Sequence, residues 1–165
     1  MKRFEAAVAD AGPLIHLDEL DWLFVLETFN AVWVPAEVSE EASAHRPAWR
    51  TAAPDNVFIE SVPEKAHLNH QEKIARLDKG ERAALALCQE RSNALFPCDD
   101  LQARIVADEM NIQVMGNLGL LLPAARYSLR TKVQVRSVLK KIPTHSTLHL
   151  KSTLPAKAIK ALQES

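Results

Sequence analysis

Aromatic residues make up only 5% of the chain, so a folded core has to be aliphatic. Cysteine is scarcer still. Cys88 and Cys98 are too few for a framework of disulfides, which points to a reducing cytoplasm. No apolar run approaches the ~18 residues of a membrane span. The first ten residues carry a basic flank but no apolar stretch of signal-peptide kind. Net charge is nearly absent too, at −1 with 25% charged residues, which excludes disorder as the main state. What is present is apolar stock: 47% of 165 residues. That length suits one domain, which buries about 70% of its unfolded surface on folding.

The small net charge hides an uneven distribution. Residues 126–165 hold nine Lys or Arg and one acid, whereas residues 1–125 hold eleven basic and twenty acidic residues. Such asymmetry fits a polyanion or an acidic protein as partner, and equally a solvated helical tail. The chain divides accordingly into a core, residues 1–130, and a basic helical extension of the same domain, residues 131–165.

Residues 4–9 are short, apolar and followed by a turn, which predicts a strand, and Pro13 opens a helix. Residues 22–29 predict a second short helix, and residues 31–34, β-branched and aromatic, a second strand. Pro35 starts another helix, residues 46–56 read as a loop, and residues 57–62 as a strand. Residues 65–76 are polar with weak helical periodicity. Gly80 precedes an Ala/Leu-rich helix. Residues 94–98 predict a strand. A helix capped by Asp99 or Asp100 follows, with Ile105, Val106, Ala107 and Met110 inward. Residues 112–115 predict a further strand, Asn117 starts an apolar helix, and the tail reads as one or two basic helices. Strands alternating with helices favour an α/β fold of three layers, a central, mostly parallel sheet flanked by helices.

In such sheets ligands bind beyond the carboxyl ends of the strands. Asp10 ends the first strand, and Asp99-Asp100 end the strand at 94–98. Glu81 heads one helix, and Glu41 lies one to two turns into another. Each has an ordinary structural role open to it: Asp10, Asp99 and Asp100 as helix caps, Glu81 as an early-turn acid favoured by the helix dipole, Glu41 as a solvated acid. Together they form a set of carboxylates that repels itself without a cation, and hard oxygen donors suit Mg²⁺ or Mn²⁺.

These same residues carry a resemblance. Val8-Ala9-Asp10-Ala11-Gly12-Pro13 resembles the first-strand motif of PIN-domain proteins. Pro35-Ala36-Glu37-Val38-Ser39-Glu40-Glu41 resembles the second motif and places its acid at Glu41. Leu77-Asp78-Lys79-Gly80-Glu81 resembles the third, with Glu81 as the acid. Cys98-Asp99-Asp100 through Arg104 resembles the fourth, and the helix register favours Asp100 over Asp99. Gly116-Asn117-Leu118-Gly119 resembles a Gly-x-x-Gly element of the toxin-like branch. The five motifs keep their order from about Glu5 to Arg130.

The resemblance implies a PIN-like fold and a Mg²⁺- or Mn²⁺-dependent endoribonuclease. It further implies the toxin of a VapBC-type toxin–antitoxin pair, held inactive by a small cognate antitoxin. Asp10, Glu41, Glu81 and Asp100 would be both catalytic residues and metal ligands, with Asp99 and Asn117 auxiliary. Single-stranded or structured RNA would lie on Arg104, one turn past Asp100, and on Arg126 and Arg130, read as an i, i+4 pair on one helix face. A homodimer is compatible with this reading, and no membrane is involved. Three positions depart from the family pattern. Ala11 and Gly12 replace the usual hydroxyl residue, Pro97 interrupts a usually aliphatic strand, and Asn117 stands where Thr is commoner. They motivate the alternative, a PIN-like module with little or no turnover that binds nucleic acid or an antitoxin. A phosphatase of the Asp-x-Asp kind is disfavoured, because Ala11-Gly12 follows Asp10.

The remaining features weigh less. His67 and His70 lack a third ligand nearby and read as a polar helix surface. Cys88 reads as a small core residue, and Cys98 as a thiol beside the acids. Trp22, Trp33 and Trp49 are irregularly spaced and read as core or partner contacts.

Overall fold

A computed structural model describes residues 4–63, 72–150 and 153–164, so His67, His70 and much of the segment 65–76 lie outside the described residues. Strands β1 (Phe4–Val8), β2 (Phe29–Pro35) and β3 (Val57–Glu60) form a parallel sheet, with Phe4 opposite Phe29 and Val32 opposite Val57. Strands β4 (Phe96–Pro97) and β5 (Val114–Met115) form a second parallel pair. The two join through a parallel bridge between Ala7 and Leu95. Around it the Val8 N–H donates to the Leu95 carbonyl and the Leu95 N–H to that of Ala6, each at 2.9 Å. The strand order is therefore β3-β2-β1-β4-β5. Progression reverses at β1, and that reversal is where open parallel sheets hold their ligands.

Strand periodicity sends alternate residues to opposite faces. Ala7, Ala9, Val32 and Val34 enter one core, whereas Val8 belongs to the other and Trp33 packs against it. The first core is covered by α1 (Ala11–Glu19), a 3₁₀ turn (Leu23–Thr28), α2 (Ala36–His45), α7 (Asn117–Leu121), α8 (Pro123–Arg126), α9 (Lys132–His145) and α10 (Thr153–Glu164). The second core lies under α4 (Glu72–Ala75), α5 (Lys79–Glu90) and α6 (Leu101–Glu109). Val135, Val138, Leu139 and Ile142 of α9 and Leu162 of α10 sit in the first core. The basic tail thus belongs to the sheet's own packing, while Lys132, Lys140, Lys157 and Lys160 face solvent.

The structure departs from the sequence expectations in several places. Residues 22–29 form not an α-helix but the 3₁₀ turn, and Phe29 already pairs in β2. The loop at 46–56 contains one helical turn, α3 (Trp49–Ala52), anchored by a Trp49 indole N–H donated to Ser43 at 3.0 Å. Ile105 is 41% exposed, and Ala103 takes the inward position instead. The strand at 94–98 shrinks to Phe96–Pro97. Pro97 leaves the bonds to the β5 side intact, since the N–H groups of Phe96 and Cys98 make them, but it removes a donor that would have faced β1, and the ladder between β1 and β4 is short for that reason. Among the described residues no helix is long and apolar enough to cross a membrane.

Candidate active site

Each strand-end acid begins as a local capping device. Asp10 precedes α1, and its Oδ1 accepts from the Ala11 N–H at 2.9 Å. Asp100 precedes α6 and accepts from the Ala103 N–H at 2.9 Å. At α5, Asp78 accepts from the Glu81 N–H at 2.7 Å, and the Asp78 N–H donates back to Glu81 Oε2 at 3.0 Å, a reciprocal capping box. Three helices on both faces of the sheet therefore start with acidic caps.

Packing then brings these ends together. Gly80 is the close-approach point between α5 and α2. A Cβ on it would lie 3.3 Å from Val38 Cγ2 and 3.4 Å from both Asp78 Oδ1 and Glu41 Oε2. The bare backbone lets α2 seat against α5 and puts Glu41 beside Asp78. From the β4 side, the Cys98 thiol reaches Asp10 Oδ2 at 3.3 Å. Cys98 is fully buried. Burial pushes its thiol well above the ordinary range, with Asp10 adding to the effect, so it stays protonated and donates.

The electrostatics record the convergence. Burial raises Asp10 to about 6, against the pull of the Ala11 and Cys98 hydrogen bonds, and the charges of Asp78 and Glu41 push the same way. Glu81 is raised to about 7, first by burial and then by Asp78, Asp10 and Asp100, against the hydrogen bond from Asp78. Glu41 is raised by burial and by Asp78, with His45 opposing. Asp10 and Glu81 are each only 8% exposed, so their mutual repulsion is weakly screened. The four acids singled out in the sequence thus share one electrostatic neighbourhood, with Asp78 as a fifth. Asp78 had a readable signal: Asp-x-x-Glu ahead of an apolar helix is a capping box.

Among the described residues no three His, Cys, Asp or Glu side chains are grouped closely enough to enclose an ion. The donor set nonetheless fits a hard divalent cation in its chemistry, being made of carboxylate oxygens.

Other residues picked from the sequence lie elsewhere. Asp99 turns toward β5, where both its oxygens accept from the Asn117 N–H at 3.2 and 3.3 Å. Arg104, exposed on α6, is close enough to pull the Asp99 carboxyl down. Arg126 and Arg130 do not share a helix face. Arg126 ends α8, and the chain turns before α9 through Ser128 at a φ of 58°. Arg126 lines a cavity of about 260 Å³ with Phe4, Met115 and Leu162. Phe4 begins the strand that Asp10 follows, so the Phe4 side of this cavity is at the opposite end of β1 from Asp10. The Arg130 guanidinium stacks 3.9 Å over Phe24 and donates to the Leu129 carbonyl. Gly119 serves packing: a Cβ on it would collide with Met115 Cγ at 2.8 Å.

No curated protein and no solved structure matches this chain. A family model described as a PIN domain matches residues 6–164. PIN domains are generally nucleases that use divalent metal ions. The match takes in the end of β1 with Asp10, the switch point between β1 and β4, every acid of the cluster and both basic C-terminal helices. The chain belongs to the PIN-domain family.

Proposed function

We propose that this protein is a Mg²⁺- or Mn²⁺-dependent endoribonuclease and the toxin of a VapBC-type pair. The observation that carries the nuclease reading is the pair of buried carboxylates at the switch point, Asp10 raised to about 6 and Glu81 to about 7, each in the field of further acids. Acids assembled only to cap helices need not be placed in one another's field.

Asp10, Glu41, Glu81 and Asp100 would hold the cation. When bound, it neutralises charge on the scissile phosphate and makes a water acidic enough to attack phosphorus near neutral pH. The chain supplies the rest. Cys98 donates to Asp10 Oδ2 and fixes that carboxylate's orientation. Asp78 holds Glu81 through the capping box. Arg104, on the exposed face of α6, meets the strand's phosphates. Support for the toxin role is the five-motif resemblance to PIN-domain proteins, many of which are toxins silenced by a small antitoxin, with Gly80-Glu81 and Gly116-x-x-Gly119 resembling one branch.

Purified protein, free of partners, should cleave single-stranded RNA with Mn²⁺ and lose that activity in Asp10→Asn. Expression should arrest growth, and the same substitution should relieve it. Absence of metal-dependent cleavage on diverse RNAs, together with no Mn²⁺ binding, would favour the non-catalytic module motivated by Ala11, Pro97 and Asn117.

A further inference from the structure

On the β5 side of the carboxylate site, Arg104 stands among polar groups that the reading above leaves unused: Asp99, His16 and Asn117. Both Asp99 oxygens accept from the Asn117 N–H, and His16 and Arg104 act on the same carboxylate, so two groups able to carry positive charge face it. Gly116 keeps the space between them clear: a Cβ there would lie 3.1 Å from Asp99 Oδ1 and 3.4 Å from Arg104 Nη1. Arg104 is exposed, and its guanidinium forms no hydrogen bond or ion pair within the described residues.

His16 is fixed from the opposite side. Its Nδ1 lies 3.3 Å from Thr147 Oγ1, 3.4 Å from Ser146 Oγ and 3.5 Å from Glu19 Oε2. Glu19 in turn accepts from the Thr147 N–H at 2.7 Å, so the segment after α9 clamps this histidine. Its Nε2 is left near the first turn of α1, 3.9 Å from where a Cβ on Gly12 would sit, at the end of the helix that Asp10 caps. Asn117 adds a further sign of an occupant. It is 2% exposed, and neither its Oδ1 nor its Nδ2 has a partner among the described residues. A buried amide of this kind calls for a polar partner.

We propose that His16, Arg104 and the Gly116–Asn117 turn form a subsite for a second phosphodiester of a single-stranded RNA, beside the one held at the carboxylates. The proposal rests on the nuclease reading and deepens it. A guanidinium and an imidazole N–H suit phosphate oxygens. In the RNA-free chain Asp99 is their counter-charge, held in place by the Asn117 N–H. The strand approaches from the solvent side, where Arg104 is exposed.

Binding is measured apart from cleavage, by fluorescence anisotropy of a short labelled single-stranded oligoribonucleotide of mixed sequence in Ca²⁺. Arg104→Ala should weaken binding about ten-fold and lower the slope of log affinity against log salt by about one. His16→Ala should weaken it about three-fold, a smaller share of the same charge-assisted contact. His16→Gln, which keeps a polar group toward Ser146 and Thr147, covers the case in which His16→Ala loosens α1. The control pair Lys157→Ala with Lys160→Ala, on α10, should leave binding unchanged. Equal losses in the control pair, no loss in Arg104→Ala, or no binding by the wild type overturns the subsite. Binding sensitive to Arg104 and His16 in a protein that cleaves nothing upholds the subsite and removes the nuclease reading. Cleavage with binding insensitive to both does the reverse.

Discussion

Helices α5 and α9 both begin with a capping box, and the two boxes are chemical opposites. At α9 the pair is Thr131 and Gln134, neutral and exposed: the hydroxyl accepts from the Gln134 N–H at 3.2 Å, and the Thr131 N–H donates to Oε1 at 2.9 Å. At α5 the pair is Asp78 and Glu81. Its geometry is equivalent, but Glu81 is buried and raised to about 7 by burial and by three neighbouring carboxylates. A helix start needs an oxygen acceptor and not a charge. The charge at α5 therefore opposes stability where the neutral box at α9 does not. That opposition marks α5, and not α9, as the helix start whose acids answer to something besides the helix.

The widest separation between the two regions should come from Asp10→Asn. Cleavage of RNA with Mn²⁺ should fall about 100-fold or more, the scale seen when one charge-stabilising group is removed from an active site. A gel assay on partner-free protein measures it. A cleavage rate equal to wild type would remove Asp10 from the site.

Exchanging charge within each box sharpens the contrast. Glu81→Gln keeps the reciprocal hydrogen bonds, since the amide oxygen still accepts from the Asp78 N–H, but removes one carboxylate. Activity should drop about ten-fold, in the range of lost metal-site contacts, with circular dichroism unchanged. Gln134→Glu makes the opposite exchange at α9 and should alter neither activity nor fold.

A third prediction concerns pH. Asp10 and Glu81 are raised above their ordinary values of 3.8 and 4.5 to about 6 and about 7, so the folded chain binds their protons more tightly than the unfolded chain does. Their contribution therefore favours the fold most below about pH 4 and is lost as pH rises through 6 to 7. In EDTA, Asp10→Asn should be more stable than wild type at pH 8, by on the order of 1 kcal/mol, and equal to it near pH 4. Urea titrations at the two pH values test this. Mn²⁺ should raise the melting temperature of the wild type at pH 8 by a few degrees through linkage, and much less in Asp10→Asn. A Mn²⁺ shift that survives the substitution would place the ion elsewhere.

The smallest effect belongs to the neutral box. Thr131→Ala should cost about 1 kcal/mol or less in a urea titration. Cleavage per folded molecule should not change.

Much of the site was legible because its parts are local. A polar residue at the end of an apolar run marks Asp10, Pro35 before an amphipathic stretch marks the start of α2, and both survive in the structure. Asp99 and Asp100 were legible as a pair, and the helix register chose Asp100 as the cap. Reading failed where the outcome depends on distant neighbours. Asp78 is legible as a helix cap, but its place beside Glu41 arises from α2 packing across Gly80. Cys98 reads as a thiol near acids, yet only its burial between β1 and β5 makes it a donor to Asp10. Arg126 and Arg130 match helical spacing, but the turn through Ser128 separates them and sends both away from the acids.

The sequence by itself determined the elements, their caps and the two-faced strands, because hydrogen bonds at helix starts and side-chain periodicity act over a few residues. The α/β class follows from that alternation. Only the tertiary structure decided that β4 pairs with β1, and so that Asp10 and Asp100 flank one switch point. It also decided that α2 meets α5 at a glycine, and that Asp10 and Glu81 lose their water while keeping like charges as neighbours. Desolvation and Coulomb repulsion depend on what packs around a group, and residues far apart in the chain supply that packing.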